Sequence, residues 1–243
     1  MKKLLLTALF FTLNMNILFA GEEEKDIPVQ EIKPGLYRLF DAYCGNTFEK
    51  DHETGEESKI FDRIFTETWE NTLREELKTT FTVEELKLIR DHINSSEYKK
   101  LLSGIPILKR ETKKAYDDLM AKSYPPVNRP KISKSYEALL QTHFEKTRHR
   151  NVKTVDGIIE EMLPTASDAI RQNAKNRHRK YLEEVMSSLY ATYLDEQGFK
   201  RYSTFDMSPL ADRFSKFTNK AFKLISQEIH KIIMADLKSY QTE

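Results

Sequence analysis

A chain of 243 residues carrying 39 basic and 38 acidic side chains, formally +1 at neutral pH, has no strong net field with which to gather a polyanion. Its single cysteine excludes an internal disulfide framework, and its 39% hydrophobic share is enough for a substantial packed core of one domain or two. Four of its seven glycines precede position 56, which leaves too few positive-φ turn positions for a sheet protein of this size. The predicted class is all-α.

The first twenty residues have the parts of a secretory signal: Lys2 and Lys3, a mainly apolar Leu4–Phe19, and small Ala20 before an acidic GEEEK. Cleavage near Ala20 is expected, and with it a periplasmic or secreted location. Its loss leaves 37 basic residues against 38 acidic ones. Cys44 lies far from that junction, so it is not a lipid-attachment cysteine; it is expected to be a partly buried thiol or a cross-link between two chains.

Residues 21–57 hold 11 acids and four bases and are expected to form a partly flexible acidic arm. Within it Pro34 can open a short docked helix whose Leu36, Leu39, Phe40 and Tyr43 share a face. A helical subdomain is expected over 58–122. It starts with Phe61, Phe65, Trp69, Leu73 and Leu77, an apolar residue every four positions. Thr82 and Glu85 then have capping-box spacing ahead of Val83, Leu86, Ile89 and Ile93. Asn94-Ser95-Ser96 breaks that helix, a short turn buries Tyr98, Leu101 and Leu102, and Pro106 suits the first turn of the next helix.

The prolines of Tyr124–Pro130 cannot continue a helix, so residues 123–132 are expected to be a linker. A second helical subdomain is expected over 133–240: a helix through Tyr136 and Phe144, a short one from Thr154, a long stretch from Pro164 to near Gly198, and a last helix from Ser208-Pro209. Ile93–Leu101 (INSSEYKKL) overlays Leu194–Tyr202 (LDEQGFKRY), with Pro106 answering Pro209 two residues out of step. That order fits a divergent duplication of a helix–break–helix–proline unit, and it equally fits two amphipathic helix pairs of independent origin.

Phe81-Thr82-Val83-Glu84-Glu85-Leu86, Ile93-Asn94-Ser95-Ser96, Lys99-Lys100-Leu101-Leu102 and Pro106 resemble the core of the bacterial domain-of-unknown-function family numbered 2059. The likeness covers residues 60–120, with 155–235 as a looser second match. It departs at Ser96 and Tyr98, where the family usually has proline and glycine. The resemblance implies an exported, all-helical bacterial protein and carries no catalytic residues across.

No chemistry stands out in the sequence. The six histidines form no H-E-x-x-H pair and are expected at the surface, and no metal or cofactor is expected. There is no G-x-S-x-G elbow and no P-loop, so no catalytic residue is assigned. Glu84-Glu85, Glu160-Glu161 and Glu183-Glu184 fit helix starts and polar faces, and they keep open a carboxylate hydrolase acting on peptidoglycan or lipid. Residues 129–180 are more suggestive, with 12 bases against six acids. Arg171, Lys175, His178 and Arg179 fall within an arc of about 100° on a helix. That arc would meet an anionic envelope component or a protein partner, or else be solvated or neutralised by the acidic arm; nucleic acid is disfavoured for an exported chain. The leading expectation is an exported, non-enzymatic binding or interaction module.

Overall fold

A computed structural model describes residues 24–43, 56–117, 124 and 126–239. The expected export signal, Cys44, His52, and Ser123 and Pro125 of the Pro-rich linker lie outside the described residues. Among the described residues there are ten α-helices and no strand, packed as helical bundles. They are α1 (24–43), α2 (Glu56–Thr68), α3 (Arg74–Thr80), α4 (Val83–Asn94), α5 (Ser96–Leu102), α6 (Ile105–Asp117), α7 (Lys134–Met162), α8 (Asp168–Tyr193), α9 (Glu196–Asp206) and α10 (Pro209–Ser239). A π-helical turn, Trp69–Leu73, joins α2 to α3. Contacts divide the chain into two compact units, residues 1–94 with 217–243 and residues 95–216.

In the first unit the four-residue apolar stripe explains the π turn. On an α-helix each step of four residues overshoots a full turn by about 40°, so five such positions would wind off any one face. The wider turn, in which the Arg74 N–H bonds to the Trp69 carbonyl five residues back, takes up that drift. Phe61, Phe65, Trp69, Leu73 and Leu77 are all buried as a result. The capping box forms as its spacing indicates: the Thr82 N–H donates to Glu85 Oε2 (3.0 Å) and the Glu85 N–H to Thr82 Oγ1 (3.2 Å).

Residues 24–43 depart from expectation. Instead of a short helix opening at Pro34, one helix runs through both Pro28 and Pro34. Val29 and Ile32 extend the buried face of Leu36 and Phe40 upstream, and the acids expected to be solvated find partners. Asp26 pairs with Arg74 and Lys78, and Glu31 with Arg90. The last part of α10 completes this core with Phe217, Ala221, Ile225 and Ile229.

The second unit is built around α8. One cluster joins Tyr136, Leu140 and Phe144 of α7 to Tyr190, Leu194 and Phe199; another joins Ala115 of α6 to Tyr181, Val185 and Leu189. Here the contact boundaries differ from the expected division at 123–132. Tyr124 and Val127 pack on the α6–α8 cluster, and Ser188 Oγ donates to the Asn128 carbonyl (2.7 Å). One compact unit, residues 95–216, therefore spans the prolines. The short helix expected from Thr154 is continuous with α7, since no proline intervenes and the one glycine, Gly157, sits in open space. Gly198 does not end α8. Asp195 ends it by capping α9, accepting the Gly198 N–H at 2.6 Å.

Ser95 caps α5 in the same way, accepting the Tyr98 N–H at 3.1 Å. The helix–cap–helix–proline order therefore occurs twice, with Ser95 answering Asp195, one residue out of step with the sequence overlay. Neither occurrence is itself a compact unit, because the contact boundaries fall at Asn94 and Lys216.

Candidate functional site

Arg171, Lys175 and Arg179 line one side of α8 and meet α7 rung by rung. Arg179 pairs with Asp156, Lys175 with Glu160, and Arg171 donates to the Pro164 carbonyl (3.2 Å) while pairing with Asp168. Successive rungs step four residues up one helix and four down the other, the register of an antiparallel hairpin. The neutralising acids thus come from α7 and the start of α8, not from the N-terminal arm. The fourth residue of the arc, His178, is fully buried, with its Nδ1 3.2 Å from the Tyr124 hydroxyl. Burial pushes its pKa down to about 4. The structure thus brings the three cations together along one hairpin flank and turns His178 into the core.

The surface expectation for histidines also fails at His143, which is 2% exposed. Among the described residues, no three His, Cys, Asp or Glu side chains converge as a metal site requires. The carboxylate pairs have structural partners: Glu85 in its capping box, Glu160 on Lys175 and Glu183 on Arg148 (3.2 Å).

A groove of about 380 Å³ lies in the first unit, bounded by α2 with its π turn and by α10. One wall is the row Ile64, Thr68, Thr72; the other is Leu224, Glu228, Ile232. Each row advances by four residues, so each wall is a helical ridge about 12 Å long. Ile64 is buried, and Thr68, Thr72, Leu224 and Ile232 are half-buried, giving a floor that mixes aliphatic groups with the threonine hydroxyls. Exposed Glu67 and Asn71 rim the first wall, Glu228 rims the second, and Arg63 also lines the groove. Asn71 and Thr72 belong to the π turn, a feature often found at functional sites.

Sequence reasoning did not find this groove. Its signal was the unbroken four-residue spacing of Phe61–Leu77, which no straight α-helix can satisfy. Comparison with protein-family models, with curated proteins and with solved structures finds no match to this chain.

Proposed function

We propose that this chain is an exported, non-enzymatic interaction module whose groove between α2 and α10 receives a partner helix. The observation that carries this reading is the pair of facing helical ridges, with Ile64, Leu224 and Ile232 set among polar side chains, the shape into which an amphipathic helix lays its i, i+3, i+4 and i+7 side chains. Rim charge selects the partner. Glu67 and Glu228 come from opposite walls, with Arg63 lining the groove and Lys231 paired to Glu228 (2.6 Å), and a helix with lysine or arginine flanking its apolar stripe would compete for these two carboxylates. Export is supported by the signal-like first twenty residues and by the resemblance of Phe81–Pro106 to an exported helical family. Among the described residues no helix is long and apolar enough to cross a membrane.

Fluorescence anisotropy with three synthetic helices sharing one apolar stripe, and bearing basic, acidic or uncharged flanks, tests the reading. The basic helix is expected to bind best, and Leu224→Glu is expected to abolish binding with an unchanged circular dichroism spectrum. Equal binding across the set, or binding indifferent to Leu224→Glu, would overturn it. Export is tested separately by the mass of the mature chain, expected to begin at Gly21.

A further inference from the structure

His143 lies inside the second unit where α7, α8 and α9 meet. Its Nε2 is 3.4 Å from the Tyr190 hydroxyl on α8 and 3.4 Å from Asp206 Oδ2 on α9. The rings of Phe144, Tyr190, Phe199 and Tyr202 surround the imidazole at centroid distances of 5.3–6.3 Å. Its Nδ1 is buried without a hydrogen-bond partner. Asp206, the one carboxylate in reach, is also held by Arg150 of α7, which bonds to Asp206 Oδ1 (2.9 Å), to the Asp206 carbonyl and to Asp212 Oδ1 at the start of α10 (2.5 Å). His149 adds a second contact to Asp212 (3.0 Å). One short network thus fastens α9 and the first turn of α10 to α7, with His143 at its dry end.

A neutral imidazole suits this place: its Nε2–H can donate to Asp206, and only a lone pair is left unmatched. Protonation adds an Nδ1–H that has no acceptor within a wall of aromatic rings, and a second positive charge on a carboxylate already bound by Arg150. The remaining groups facing the cage do not offset that charge. Tyr190 and Tyr202 are uncharged phenols, and Tyr98 of α5 adds another beside Tyr202. Burial is the main cause depressing the His143 pKa; Asp206 opposes it and Arg150 reinforces it.

We propose that His143 is the trigger of an acid-sensitive lock: its protonation releases α9 and the first turn of α10 from α7, loosening the second unit. Because the folded state rejects the proton that a free imidazole accepts near pH 6.5, the lock is fully closed above that pH. It weakens as pH falls toward the lower folded pKa, by up to about tenfold per pH unit in the closed-to-open ratio.

Hydrogen exchange of the whole protein at pH 7.5 and 5.0, corrected for intrinsic chemical exchange, tests this. The expected result is faster exchange at pH 5.0 in 196–212, exceeding any change in α4, where burial also holds the His92 pKa down to about 4. His143→Gln is expected to reduce the pH dependence in 196–212 by more than His178→Gln does, since His178 adds an acid response of its own to the unit. A response in 196–212 no larger than that in α4, or one that His143→Gln leaves undiminished, would overturn the proposal. Should His143→Gln fail to fold, nitrogen-15 titration of the wild-type ring decides: a folded midpoint well below 6.5 supports the lock, and one at 6.5 or above ends it.

Discussion

A Cβ placed on Gly35 would lie 2.6 Å from both Cγ1 and Cδ1 of Ile93, so α1 and α4 meet backbone against side chain. Around this contact Arg38 bonds to Asn94 Oδ1 (2.7 Å), and Asn94 to the Glu31 carbonyl (3.0 Å). Alanine favours a helix over glycine by about 1 kcal/mol, while forcing a methyl into a packed contact costs about 1–3 kcal/mol. Gly35→Ala is therefore expected to destabilise by roughly 1 kcal/mol in urea unfolding. Adding Ile93→Val, which removes Cδ1, should recover part of the loss, and strict additivity of the two changes would refute the contact.

The π turn is one residue more than an α-helix needs. Deleting Asn71, an exposed rim residue, turns the buried spacing Phe65, Trp69, Leu73, Leu77 into steps of four, three and four, which a regular α-helix satisfies. The deletion is expected to fold with stability within about 1 kcal/mol of the parent and to lose binding of the basic helix. Collapse of the fold on deletion would mean that the turn serves packing and not the groove.

The α7–α8 rungs are partly exposed, and such pairs contribute about 0.2–1 kcal/mol each. Arg179→Glu sets two acids face to face, and combining it with Asp156→Arg is expected to restore the lost stability to within about 0.5 kcal/mol. A thermal-melt double-mutant cycle run at low and high salt measures the coupling, which should shrink as salt rises. Reversing Arg171, Lys175 and Arg179 together should weaken the hairpin before it alters any binding.

His178 gives the stability a pH dependence of its own. Its pKa is about 4 in the fold and 6.5 when free, so the unfolded chain binds the extra proton between those values. Its contribution is complete above about pH 6.5, falls as the medium is acidified, and is lost near pH 4, on the order of 3 kcal/mol in all. Urea unfolding at a series of pH values should show this slope, and His178→Phe should flatten the part that belongs to His178.

Helix starts were the most legible part of the sequence, because a cap is local chemistry: Thr82 with Glu85, Ser95, and Ser208-Pro209 act as their spacing indicates. What sequence reading missed depended on partners. The arc holding Arg171, Lys175, His178 and Arg179 adjoins, at His178, the side of α8 that carries Ala174, Tyr181 and Val185, and that shared edge, visible in the sequence, marks a flank bordering the core. Helix 24–43 starts well before Pro34 because Val29 and Ile32 continue the buried face of Leu36 and Phe40, and its acids, which composition alone places in solvent, find basic partners on other helices. The groove has the least local signature of all, since its two walls lie more than 150 residues apart in the chain.

The division at Asn94 and Lys216 has a consequence for biosynthesis. Residues 95–216 are contiguous and have all their members once Lys216 has been made. The other unit is synthesised first and finished last: its core lacks Phe217, Ala221 and Ile225 until the end of the chain emerges. During that interval the apolar faces of α1, α2 and α4 have no closing helix, and this is the period in which a holding chaperone or a membrane-translocation apparatus would find an unfolded substrate.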